Sequence, residues 1–150
     1  MSEKIKVIKE TTKEILDRLK TKADVMVTEL PDEIKIDIIS DDSPMIIGAR
    51  GQNLYSLEHL VRVIANKQLD EFAYINIDSA GYKEKRRRQV EELVSKAIKL
   101  VLENSEPFEF DAMNPSERKI VHTLCQPVDG ITSESSGEGE SRRVVIRLDK

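Results

Sequence analysis

The chain has 150 residues, 39% of them hydrophobic, which suffices for one ordinary core or two small ones and is too many for a disordered tail. Its single cysteine, Cys125, excludes an internal disulfide, and no apolar run approaches the roughly 20 residues needed to cross a bilayer; a cytoplasmic protein with no membrane insertion is expected. With 24 basic and 28 acidic residues the net charge is -4, which argues against a uniformly basic nucleic-acid binder and makes the distribution of charge matter more than its sum.

Residues 3–20 place Ile5, Ile8, Thr12, Ile15 and Leu19 at helical spacing, predicting an amphipathic helix. Val25 to Leu30 and Ile34 to Ile39 flank Pro31-Asp32-Glu33 and predict a hairpin. Pro44 to Ile47 predicts a short helix, Gly48 to Gly51 a tight turn, and Leu54, Leu57, Val61 and Ile64 the stripe of a longer helix, in which His59 reads as partly buried and hydrogen-bonded. Phe72 to Ile77 is strand-like and ends at Asp78-Ser79, which can cap a long helix from Gly81 to about Asn104. Phe108 and Phe110 suggest a short strand. Asn114-Pro115-Ser116-Glu117 opens a helix to about residue 126, and Ile131–Glu134 and Arg142–Leu148 predict two strands around a polar, flexible loop.

Gly48-Ala49-Arg50-Gly51, after Ile46 and Ile47, lets the backbone turn sharply and lets phosphates approach with no Cβ in the way, directly before a helix N-terminus. Alone, such a G-x-x-G is a weak signal that reads first as a plain turn between helices. Arg118 and His122, four apart on a helix, share a face and can reach one phosphate, although an isolated R-x-x-x-H is also compatible with a surface arginine beside a locally satisfied histidine. Lys83, Lys85, Arg86, Arg87 and Arg88 gather at a helix start, where the macrodipole disfavours cations and an anionic ligand would offset both; a solvated helix face is the alternative. On the last strand Arg143 and Arg147 face opposite to Val144, Ile146 and Leu148, and Arg143 is expected to extend a phosphate track beside His122. His122 and Cys125 lack further partners at ligand spacing, so no metal and no cofactor is expected, and no nucleophile, acid pair or nucleotide loop marks an enzyme.

The glycine turn set in an αββααβ order makes residues 1–78 resemble a type II KH domain. Asn114 to His122, followed by Thr132-Ser133-Glu134-Ser135, Gly137-Glu138 and Arg142 to Ile146, resembles the R-3-H domain over residues 79–150. The combined order, with Gly81-Tyr82 and the basic residues opening the linking helix, resembles the KH plus R-3-H family known as Jag or KhpB over essentially the whole chain, as a short form lacking the family's N-terminal domain. This implies an α+β fold twice over, the second domain being helices on a small three-stranded sheet, with the helix from 81 to 104 as a semi-rigid connector.

The resemblance implies single-stranded RNA as partner, held by Ile47, Gly48, Ala49, Arg50 and Gly51 around about four nucleotides and by phosphate contacts from Arg118, His122, Arg143, Lys83, Arg86 and Arg87. Many relatives carry a basic residue where Ala49 stands, so a weaker clamp is expected here. Aromatic residues make up 4% of the chain and tryptophan is absent, so base stacking is not the main source of affinity. The resemblance also implies an RNA chaperone or post-transcriptional regulator linked to cell-envelope growth and division, pairing as a homodimer or with a small KH-only protein. Single-stranded DNA stays open because phosphate contacts do not see the 2′-hydroxyl. A protein-interaction adaptor, which predicts no nucleic-acid binding at physiological salt, also stays open.

Overall fold

In the computed structural model, which describes residues 1–149, the chain divides into two units, Met1–Lys83 and Glu84–Lys150. The first unit opens where Ser2 Oγ accepts the Ile5 N–H and starts α1 (Glu3–Arg18). α1 ends before Leu19, so Leu16 fills the buried stripe with Ile8 and Thr12, and Leu19 is exposed. β1 (Asp24–Glu29) and β2 (Ile34–Ile39) form the antiparallel hairpin. α2 (Ser43–Ile47), a single 3-10 turn over Ala49–Gly51 and α3 (Gln52–Asn66) then carry the chain across to β3 (Ile75–Ser79). β3 lies parallel to β2, which needs such a crossover, and the sheet order is β1-β2-β3. This is the αββααβ arrangement expected from the sequence, with Ile8, Ile36, Ile38, Leu54, Val61, Ile75 and Ile77 in its core.

Two side chains of α3 depart from expectation. Ile64 is partly exposed and His59 is exposed, while Glu58 takes a place in the buried stripe beside Leu54, Leu57, Val61 and Ala65. β3 begins at Ile75, not Phe72, because the Asn66 amide accepts the Ala73 N–H at 2.7 Å and donates to Ala73 O at 3.1 Å, occupying groups a ladder would use. Phe72 and Tyr74 are exposed and stack edge to face at 4.9 Å.

Asp78 Oδ1 accepts the N–H groups of Ser79 (2.8 Å) and Lys83 (3.3 Å) and so caps α4 (Tyr82–Asn104). In the second unit α4 packs Val90, Val94, Ala97 and Val101 against Phe110, Val121, Cys125, Val144 and Ile146. β4 (Phe108–Glu109), β5 (Ile131–Ser136) and β6 (Arg143–Leu148) form an antiparallel sheet in the order β4-β6-β5, and α5 (Pro115–Cys125) lies between β4 and β5 in the chain. Both units mix helices with a small sheet, the α+β class. Ser135 and Ser136, expected in a flexible loop, extend β5 and pair with Val144 and Arg143; the chain turns only at Gly137, whose φ of 86° suits a residue without a side chain.

Candidate nucleic-acid interface

In the first unit the glycine turn is built on three residues of positive φ. Gly48, Arg50 and Gly51 have φ of 73°, 55° and 76°, the left-handed region, which costs a non-glycine residue such as Arg50 about 1 kcal/mol. Gly48 has a second reason to be glycine, since a Cβ there would lie 2.6 Å from Asn53 Cγ, and Asn53 in turn donates to Met45 O at 2.8 Å to brace the turn from behind. Ile47 is half-buried, Ala49 and Arg50 are exposed, and Gly51 is buried under the Tyr82 ring. The turn thus presents exposed backbone, one arginine and the start of α3 to solvent, a combination that attracts phosphates.

The second unit builds its site on α5. Asn114 accepts the Glu117 N–H at 2.9 Å, and Pro115 follows as the first helical residue, so the helix starts where the sequence signalled. Its buried side carries Val121, Cys125 and Glu117, the last paired with Arg86 Nε at 2.7 Å. Its other side puts Arg118, Lys119 and His122 on an open cavity of about 560 Å³, lined also by Ile131, Ser133 and Ser135 of β5 and by Arg142. Residues 131, 133 and 135 share one face of the strand by its two-residue period. Among the described residues, no aspartate or glutamate lines this cavity.

Four polar side chains that line the cavity with His122 are held by contacts within the unit: Arg118, Arg142, Ser133 and Ser135. Arg118 Nη1 donates to Met113 O at 2.6 Å and Arg142 Nη1 to Gly137 O at 2.6 Å. His122 Nδ1 lies 2.7 Å from Ser133 Oγ and Nε2 lies 2.9 Å from Ser135 Oγ, so both ring nitrogens are engaged by hydroxyls. Burial pushes the Cys125 thiol up from its ordinary value.

Other basic residues expected at the interface stand elsewhere. Lys83 Nζ bonds Glu58 Oε2, donates to Asn76 Oδ1 at 2.6 Å and sits 5.2 Å above the Tyr55 ring, an internal anchor of the first unit. Arg86 is spent on buried Glu117. Arg87 pairs on the surface with Glu84 (3.1 Å) and Glu91 (3.8 Å), and its hydrogen bond holds the Glu84 carboxyl below the usual carboxylate range. Arg143 is not beside His122: by strand alternation it faces away from buried Val144, meeting Glu109 at 3.3 Å and Ser141 O at 3.2 Å, and Arg142, just ahead of β6, takes the place expected of it. Arg142, Lys119, Ser133 and Ser135 join the site in addition to the residues expected from the sequence, where the serines' i, i+2 spacing is the one signal for them.

The R-3-H domain family matches residues 77–148. The RNA-binding protein KhpB of Clostridium symbiosum is 30% identical over 141 residues, 93% of this chain and 64% of that protein. The RNA-binding protein KhpB of Bacillus subtilis is 31% identical over 134 residues, 88% of this chain and again 64% of its own length. That of Streptococcus pneumoniae is 31% identical over 113 residues, 75% of this chain and 34% of its own. The chain therefore spans a little under two thirds of the length of the first two relatives.

Proposed function

Because the chain is a KhpB-like protein carrying an R-3-H domain over residues 77–148, we propose that it binds single-stranded RNA and has no catalytic role. The observation that carries this reading is the cavity on α5: Arg118, Lys119 and Arg142 line it with His122, Thr123, Ser133 and Ser135, and with no carboxylate among the described residues, in a chain whose net charge is -4. A cation cluster maintained against an acidic background selects anions, and the relatives' names give the anion's class. The glycine turn adds a second phosphate contact through its backbone and Arg50, and the two sites on one strand reinforce each other through effective concentration. We assign the first contact to residues 1–78 as a KH domain and the second to residues 79–150, in a cytoplasmic RNA chaperone or post-transcriptional regulator tied to cell-envelope growth and division.

Pairing with a second KH unit, its own copy or a small KH-only protein, is favoured by one observation, the exposed Leu60 and Val63 on α3, which are 48% and 43% accessible. Light scattering of wild type and Leu60→Glu tests it; a species of monomer mass in both rules out self-pairing.

Fluorescence anisotropy with labelled single-stranded RNA and DNA over a salt series tests the main reading. RNA-preferring, salt-sensitive binding weakened about tenfold or more by Ala49→Asp/Arg50→Asp and by Arg118→Ala/His122→Ala is expected. Equal affinity for DNA removes the RNA preference, and absence of binding at low salt leaves the adaptor role.

A further inference from the structure

A neutral imidazole has one N–H donor and one bare acceptor nitrogen, and both in-plane positions of His122 are already taken by Ser133 and Ser135. A phosphate entering the cavity therefore meets no unoccupied ring nitrogen. It meets the two serine hydroxyls, which stand on one face of β5 and line the cavity together with Arg118 and Arg142. When one ring nitrogen donates, its serine accepts with a lone pair and keeps its own proton for another acceptor; when the ring is protonated, both serines do so. Resting on the reading of this cavity as a phosphate site, we propose that Ser133 and Ser135 are its hydroxyl ligands to a phosphodiester oxygen and that His122 is a positioning residue, which aims their protons and does not itself touch phosphate.

The surroundings fit this division of labour. Arg118 and Arg142 each donate one N–H to a main-chain carbonyl, which fixes the guanidinium plane before a ligand arrives, and a guanidinium carries five such donors. Two charged donors and two aimed hydroxyls suit the two non-bridging oxygens of a phosphodiester, each of which accepts more than one hydrogen bond. Among the described residues, the charged groups that line the cavity with His122 are Arg118 and Lys119 of the same helix and Arg142, all cations, so the anion is supplied by the ligand.

The test is a cycle of variants read by affinity for a fluorescent 10-nucleotide single-stranded RNA lacking terminal phosphates, with thermal unfolding as the control for fold. His122→Ala and Ser133→Ala/Ser135→Ala are each expected to weaken binding about tenfold, the triple variant to be no weaker than the serine pair, and Ser133→Thr/Ser135→Thr, which keeps both hydroxyls, to stay near wild type. A triple variant about tenfold weaker again than the serine pair overturns the proposal, because the imidazole then contacts phosphate itself, as does wild-type affinity in Ser133→Ala/Ser135→Ala. A second arm titrates inorganic phosphate and follows the amide resonances of residues 131–136 and the His122 ring nitrogens. Shifts that saturate in wild type and vanish in the serine pair support the proposal even if the RNA does not bind, an outcome that would remove the RNA reading alone. Unmoved resonances in wild type overturn the proposal even if RNA binds elsewhere.

Discussion

A methyl group on Gly51 would stand 2.5 Å from Tyr82 Cε1 at a φ of 76°, whereas one on Gly81, at a φ of 64°, would meet nothing within 4 Å. The two positions separate backbone strain from collision. Gly81→Ala is expected to cost about 1 kcal/mol and Gly51→Ala about 2 to 4 kcal/mol, read as urea midpoints at constant slope; equal losses would mean the Tyr82 contact carries nothing. Cys125 makes a second residue-scale expectation. Its thiol is buried, which disfavours the thiolate, so its folded pKa lies above the unfolded one. The stability this contributes is present at neutral pH and is lost as pH rises past the ordinary thiol value of 9.0. Alkylation by iodoacetamide at pH 8 should accordingly be at least about tenfold slower in the native protein than in urea; equal rates would show that the α5 side of the core opens readily.

At the scale of elements, α3 does more than bury a stripe. Asn66 holds Ala73 N and O, Arg62 Nε donates to Ile75 O at 2.7 Å and Glu58 Oε2 accepts the Ile77 N–H at 2.9 Å. Steps of four residues along a helix advance about 6 Å and steps of two along a strand about 6.6 Å, so three side chains track the edge of β3 as a neighbouring strand would and close it to other chains. Glu58 also anchors Lys83, which is mostly buried, and Glu58→Ala leaves that ammonium without its partner. A loss of about 3 kcal/mol is expected, and Glu58→Ala/Lys83→Met should recover part of it; a double variant as unstable as the single would place the cost in the Ile77 N–H. None of this was legible locally. The periodicities of residues 3–20, 54–64 and 81–104 announced their helices because a buried stripe repeats every turn, but Glu58 was hidden beside His59 because only the position of β3 makes a buried carboxylate useful. The same limit displaced Arg143: its facing was readable from alternation, while the side of the sheet that α5 covers was not, and Arg142 lies just outside the regular strand.

For the molecule as a whole, the charge balance decides how strongly salt should act on binding. The basic cluster at the start of α4, conspicuous in the sequence, is largely consumed: Lys83 by Glu58, Arg86 by Glu117, Arg87 and Arg88 by Glu84. The candidate phosphate contacts are Arg50, by its place in the exposed glycine turn, and Arg118, Lys119 and Arg142, which line the cavity. Four neutralised phosphates on a single strand give a slope of log K against log salt of about -3, and Arg118→Ala/Arg142→Ala should reduce its magnitude by about 1.4. A wild-type slope near -6 would require the α4 cluster to leave its carboxylates for the nucleic acid. That exchange carries a penalty at Glu117, which is nearly fully buried and would lose Arg86 without gaining water, and a smaller one at Glu58, which would lose Lys83 but keep Arg62 at 3.1 Å. A shallow slope is therefore what these ion pairs favour, since Lys83 and Arg86 serve the buried carboxylates of Glu58 and Glu117 rather than a ligand.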